Sequence, residues 1–365
     1  MSRYQIKILR RAIAKRTQRV IALILITVLL ILNAETTQSK TITQSSPSVQ
    51  PTTVSEIRPL GIALEEMNYP YPVSFVDLSN EGQTVRMAYM DVSASGAANG
   101  RTIVLLHGRN FSGFYWQSAI EALSSAGYRV IVPDQVGFGK SSKPDLAYDF
   151  DLLAMNTMQL LDRLNIREVD LVGHSMGGML AVRMARLYPN RVQKLILETP
   201  VGLEDYRLKV PPQTLEQLQQ DESLTDSAAI EELLRNFVAK WTPERDMQFV
   251  QIRDRLALSA EYSRWTRAMA RTWQMIYREP IRYELFTLTQ PTLLVIGLED
   301  RIALGKNYVS SEIAQTLGNF PELGRFAAKT IPNAQLVELS GIGHIPHHEA
   351  PEQFEKAVLE FLDLQ

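Results

Sequence analysis

"VDLVGHSMGGMLAVRMA", residues 169–185, decides how the chain is read. It opens with a strand-length run rich in branched residues, and from Met176 onward its apolar residues recur at helical spacing. Ser175 falls on the corner between the two, with Gly173 two residues before it and Gly177 two after. The missing Cβ atoms at those glycines let a strand and a helix cross closely, so the serine can take a strained backbone conformation that exposes its oxygen. The blander reading of the same residue is an N-cap for the helix that follows.

The pattern around this corner repeats. "TIVLLHG" (102–108), "YRVIVPD" (128–134) and "KLILETP" (194–200) are further short apolar runs, with helix-length segments at about 114–126, 149–164 and 176–188 between the four. Apolar runs interleaved with helices indicate strands buried on both faces, hence a parallel sheet built by crossovers. "PVSFVDL" (72–78) and "QTVRMAYMDV" (83–92) read instead as an antiparallel pair at the sheet edge. A long polar and helical stretch, 203–286, interrupts the rhythm and reads as a helical cap inserted between two strands. "PTLLVIG" (291–297) and "AQLVELSG" (334–341) restore the rhythm, and "APEQFEKAVLEFLDLQ" (350–365) reads as an amphipathic closing helix. The α/β core is therefore expected over 59–202 and 287–365.

The 365 residues suffice for a sizeable core, and 45% hydrophobic with 21% charged residues is a globular composition. The net charge of −2 conceals an asymmetry. Seven basic and no acidic side chains lie in residues 1–34, so the remainder carries 31 basic against 40 acidic, a net of −9. An acidic body argues against nucleic acid as a partner. "VIALILITVLLIL" (20–32) follows the basic start; thirteen residues make a helix of about 20 Å, short of a bilayer core of roughly 30 Å. Residues 1–34 thus read as a signal peptide, or alternatively an N-terminal membrane anchor, and either places the body outside the cytoplasm, periplasmic or extracellular. Residues 35–58, rich in Ser, Thr, Gln and Pro, read as a disordered linker. The absence of cysteine removes disulfides, thiol nucleophiles and thiolate metal sites.

A serine hydroxyl becomes a useful nucleophile only when a neighbouring base takes its proton. Five histidines exist. His107 and His174 read as structural, while His344, His347 and His348 lie in "SGIGHIPHHEAPEQF" (340–354), just after the last strand. His344 is the expected base, with His347 and His348 expected to cover the mouth of the crevice. The spacing of His344, His347, His348 and Glu349 could suggest a metal, but Pro346 spoils a helical ligand face and no metal is expected. A carboxylate must fix the imidazole's tautomer. Asp300, in the loop after "PTLLVIG", is the expected acid, with Glu299 as fallback. The oxyanion donors are expected to be the backbone N–H groups of Met176 and Arg109, with Asn110 next.

These parts, Ser175, Asp300 and His344 in that chain order, resemble the α/β-hydrolase superfamily, and a cap-bearing Ser-Asp-His member in particular. "LLHGRNFSGFYW", "DQVGFGKSSKP", "GHSMGG", "GLEDRIALGKN" and "GIGHIPHHEAPEQF" follow in family order, so the resemblance covers about residues 60–365. It implies a mostly parallel eight-stranded sheet flanked by helices, and a serine hydrolase working through an acyl-enzyme on a small, partly apolar acyl substrate, with no cofactor. Asp134 matches a position that stabilises a turn in the family. A serine at 175 speaks against relatives with an aspartate nucleophile. Glu198 stands where some relatives keep the acid, and the stretch between Asp300 and the last strand is longer than usual. The alternatives are a carbon–carbon bond hydrolase or acyltransferase of the same fold, or a non-catalytic ligand-binding or receptor-like protein. Oligomeric state is not legible.

Overall fold

A computed structural model describes residues 58–363. The expected export or anchor segment, the linker up to residue 57 and the last two residues lie outside them. Strands β1 (Val73–Asn80) and β2 (Gln83–Val92) pair antiparallel through a tight turn at Glu81 and Gly82, both at positive φ. Then strands and helices alternate: β3 (Thr102–Leu106), a 3-10 turn at Gly113–Trp116 leading into α1 (Gln117–Ser125), β4 (Arg129–Pro133), α2 (Phe150–Arg163), β5 (Val169–His174), α3 (Met176–Leu187) and β6 (Val192–Glu198). Four helices follow between β6 and β7: α4 (Leu215–Glu222), α5 (Ser227–Arg235), α6 (Pro243–Ala257) and α7 (Tyr262–Arg278). The core resumes with β7 (Thr292–Gly297), α8 (Ser311–Gln315), α9 (Phe320–Thr330), β8 (Ala334–Leu339), α10 (Pro346–Glu349) and α11 (Pro351–Asp363).

The eight strands form one sheet in the order β1-β2-β4-β3-β5-β6-β7-β8. Only the pairings of β2 with β1 and with β4 are antiparallel. Burial follows from this placement. Every residue of β5 and β7 is buried because helices cover both faces of the central sheet, whereas β1 alternates exposed and buried as an edge strand does. The strand order reverses between β3 and β5: from β3 the chain first crosses to β4 on one side, then to β5 on the other. Such a reversal leaves a crevice at the carboxyl ends of the two strands, the place where open α/β sheets bind ligands. The loop carrying Gly108 and Arg109 leaves β3 at that point, and Ser175 leaves β5 there. Among the described residues no helix is long and apolar enough to cross a membrane.

Candidate active site

Ser175 has φ 55° and ψ −116°, a conformation rare for a residue with a side chain. Its N–H donates to the carbonyl of Glu198 at 3.0 Å, which ties the corner to the neighbouring strand β6. The flanking glycines are sterically required. A Cβ on Gly177 would stand 2.1 Å from the carbonyl oxygen of Leu106, and one on Gly173 would stand 2.3 Å from the carbonyl oxygen of Gly177. Ser175 is 7% exposed and lines a cavity of about 690 Å³. Met176 is the first residue of α3, so its N–H has no intrahelical acceptor and sits at the positive end of the helix dipole. The loop after β3 lies against the serine: a Cβ on Gly108 would be 3.2 Å from the Cβ of Ser175. Arg109 follows directly.

Across the crevice, Nδ1 of His344 donates to Oδ2 of Asp300 at 2.6 Å, with both side chains fully buried. A carboxylate only accepts, so the proton sits on Nδ1 and Nε2 is the basic nitrogen of the neutral ring. The other carboxylate oxygen of Asp300 accepts the N–H of Ile302 at 2.8 Å. Nε2 of His344 is buried and has no hydrogen-bond partner, Ser175 included. The backbone of His344 is held on two sides. Its N–H donates to the carbonyl of Phe237 at 2.8 Å, and its carbonyl accepts from Nε2 of His174 and the hydroxyl of Thr199, both at 2.7 Å. The ring centroids of His174 and His344 are 5.0 Å apart, which places the imidazole of 344 beside the serine's own neighbour. Glu349 clamps the loop by accepting from the N–H groups of Gly343, Ile345 and Ala239.

The remaining histidines depart in part from expectation. His347 does not cover the mouth of the crevice: it is buried, its Nδ1 faces Oε2 of Glu198 at 2.8 Å, and its ring stacks on Trp116 with centroids 3.9 Å apart. Burial holds the Glu198 carboxyl well above the usual carboxylate range and the His347 imidazole well below the usual histidine range. Glu198 therefore serves His347, and Asp300 serves His344. His348 instead bonds Asp246 of α6 through Nε2 at 2.8 Å, fastening the helical insertion to the core. The three rings that raised the metal reading thus go to three separate carboxylates, and among the described residues no group of three or more His, Asp or Glu side chains is arranged to hold a metal ion.

His107 and His174 are buried, and burial depresses both imidazoles. Nε2 of His107 accepts the N–H of Gln135 at 3.0 Å, which leaves Nδ1 to donate to the carbonyl of Gly108 at 2.9 Å. Nε2 of His174 must donate to the carbonyl of His344, so its Nδ1 accepts from the hydroxyl of Tyr115 at 2.8 Å. That hydroxyl in turn accepts the N–H of Gly108 at 2.9 Å. Tyr115, which sequence reasoning passed over, therefore links the loop before Arg109 to the residue before Ser175 and, through it, to the backbone of His344. It lies within the quoted "LLHGRNFSGFYW" run, but nothing there reveals its partner, which stands 59 residues further on. Asp134 accepts the N–H groups of Gly113 at 2.6 Å and Lys140 at 2.7 Å, bracing two turns. The side chain of Arg109 is not a plain loop side chain: it reaches the insertion, pairing with Glu222 at 2.5 Å and donating to the carbonyl of Met269 at 2.7 Å. The long segment after Asp300 also has a place, since Ile302 to Tyr308 line the cavity.

Comparison with known proteins agrees with this architecture. A probable hydrolytic enzyme from Pseudomonas aeruginosa PAO1, known by crystal structure, is similar with a TM-score of 0.82 and 43% identity, covering 85% of this chain and all of that one. A non-heme chloroperoxidase of Kitasatospora aureofaciens is 29% identical over 283 residues, 72% of this chain and 93% of its own length. A 2-hydroxy-6-oxononadienedioate/2-hydroxy-6-oxononatrienedioate hydrolase of Burkholderia vietnamiensis is 28% identical over 304 residues, 79% of this chain and 94% of its own. The sequence model of the alpha/beta hydrolase fold matches residues 101–351, and with the eight-stranded sheet and the inserted helices it shows that the chain belongs to the alpha/beta hydrolase family.

Proposed function

We propose that this hydrolase is a serine hydrolase cleaving a carboxylic ester or related acyl bond of a small substrate through an acyl-enzyme. One observation carries the reading: an imidazole with its Nδ1 proton committed to a buried carboxylate and its Nε2 buried and unpartnered, on the same rim as a strained serine that lines the cavity. In this reading Ser175 Oγ attacks the carbonyl carbon while Nε2 of His344 takes its proton, and Asp300 stabilises the imidazolium that forms. The N–H groups of Met176 and Arg109 hold the oxyanion. Collapse expels the leaving group with the proton from His344, and water, activated by the same nitrogen, releases the acid. The test is labelling by a fluorophosphonate probe together with turnover of p-nitrophenyl esters. Ser175→Ala should abolish both with folding intact by circular dichroism, and undiminished turnover would refute the assignment. The Burkholderia relative favours one second reading, cleavage of a carbon–carbon bond by the same residues, which a vinylogous 1,5-diketone substrate would report. The basic and apolar start of the chain supports export, with residues 20–32 cleaved off or retained as an anchor; fractionation of the expressed full chain checks it.

A further inference from the structure

The cavity in front of Ser175 is charged against the trend of the molecule. Residues 35–365 carry a net of −9, yet four basic side chains (Arg109, Arg253, Arg301 and Lys306) line this cavity against two acidic ones, Asp221 and Glu222. Asp221 is occupied by the hydroxyl of Tyr308. Glu222 lies between two guanidinium groups, Arg109 at 2.5 Å and Arg253 at 3.4 Å, and those cations hold its carboxyl below the usual range against the effect of burial. One carboxylate between two guanidinium groups leaves one positive charge uncompensated.

Arg253 is built into the wall. It is 9% exposed, its guanidinium stacks over Trp265 at 3.9 Å, and Nη2 donates to the carbonyl of Glu222 at 2.8 Å. Its Nε is buried and has no hydrogen-bond partner. The ion pair with Glu222, the Trp265 ring and a hydrogen bond to the Tyr262 hydroxyl hold this cation rigidly in the cavity wall, so it is preorganised to meet an anion there. A positive wall in an acidic protein also focuses the field on anions.

Resting on the reading of Ser175 as the nucleophile, we infer that the natural substrate carries a carboxylate remote from its scissile carbonyl, and that Arg253, paired with Arg109 across Glu222, receives it. The two guanidinium groups and Glu222 carry one net positive charge, and Arg301 and Lys306 against Asp221 add a second on the same cavity, so the wall as a whole favours an anion. Glu222 is the counterweight that sets this charge.

The experiment uses the purified full chain and two esters of equal length, mono-p-nitrophenyl adipate and its neutral methyl ester. The readout is the ratio of their kcat/KM values in the wild type, Arg253→Met, Arg253→Lys and Glu222→Gln. A wild-type preference for the anionic ester of about tenfold or more is expected, shrinking as salt is added. Arg253→Met should remove most of it through KM, Arg253→Lys should keep most of it, and Glu222→Gln should enlarge it. Because the readout is a ratio within each variant, a general loss of folded protein leaves it unmoved. A wild-type ratio near or below one overturns the inference, as does a ratio unchanged across the variants. Fluorophosphonate labelling separates the two levels: a labelled Ser175 with no anionic preference sinks this inference and leaves the serine hydrolase reading standing, and an unlabelled Ser175 sinks both.

Discussion

Replacing Tyr115 with phenylalanine tests whether the loop after β3 is held in place from inside the fold. The ring of Tyr115 is buried and stacks on Phe111 with centroids 4.9 Å apart and planes 9° from parallel, so phenylalanine keeps the packing. What disappears is one oxygen with two commitments, acceptor from Gly108 N–H at 2.9 Å and donor to Nδ1 of His174 at 2.8 Å. Burial keeps that hydroxyl protonated well above its ordinary range and keeps His174 neutral, so neither partner can ionise its way out. Each buried group left unsatisfied costs about 1–3 kcal/mol, and the relief from no longer burying the hydroxyl offsets part, for a net of about 2–4 kcal/mol. For a domain of about 300 residues, with an unfolding entropy of about 2.1 cal/mol/K per residue, this lowers Tm by about 3–6 °C. The functional effect runs through position. Deleting an oxyanion donor costs about 10²–10³ in kcat; loosening the residue before the Arg109 N–H should cost less, about tenfold, with KM little changed. Calorimetry and p-nitrophenyl butyrate kinetics read both. Wild-type Tm and wild-type kcat together in Tyr115→Phe would refute the idea that this hydroxyl braces the oxyanion loop.

Two further substitutions separate the buried carboxylates. Asp300→Asn should lower kcat by about 10⁴, because the amide turns an N–H toward Nδ1 of His344 and drives the proton onto Nε2; ester kinetics with circular dichroism check it, and a loss below tenfold would count against Asp300 as the partner of the base. Glu198→Gln should leave ester turnover within about twofold, and at pH 4.5, below the raised folded-state value of the carboxyl, stability within about 1 kcal/mol, since there the carboxyl and an amide present the same acceptor and donor to the N–H and Nδ1 of His347. Its pH dependence has a definite sign. A folded-state value raised above the unfolded one, about 4.3, means that wild-type stability falls as pH climbs from there toward the folded value, a decline that glutamine removes. Urea unfolding at pH 4.5 and pH 8 should therefore show Glu198→Gln gaining on the wild type at the higher pH, and a relative loss there would mean that the carboxylate is ionised in the fold.

The sheet, the corner serine and the position of the other two site residues were legible because each depends on local chain geometry. Gly173 and Gly177 announce a crossing too tight for a Cβ, and Asp300 and His344 each follow a short run rich in branched residues that reads as a strand, buried for β7 and half-exposed at the sheet edge for β8. Side chains pointing inward from those loops were less legible. His347 and His348 read as cover for the crevice because nothing in their spacing reveals Glu198 beneath one and Asp246 beside the other. Tyr115 was silent for a related reason. Its partner lies on the strand that pairs with β3 in parallel, a neighbour that only the crossover brings near. Arg109 showed its backbone role by position, while its guanidinium answers to residues more than a hundred positions away in the insertion.

That last contact bears on what the insertion does. Helix α7 and Glu222 of α4 grip the loop that leaves β3, through Arg109, while the segment between α5 and α6 grips the loop that leaves β8, through the carbonyl of Phe237 on the N–H of His344 and the N–H of Ala239 on Glu349. The insertion therefore holds both rims of the crevice as well as walling the cavity. Exchanging it for another helical segment should alter which substrate fits and also release two loops whose backbone geometry the proposed chemistry needs. Grafted caps that keep the side chain of residue 222 but lose the carbonyl at 237 should still bind substrate and fail in kcat, read from ester kinetics as a fall in kcat at little-changed KM; an unchanged kcat would mean that the insertion does not hold this rim.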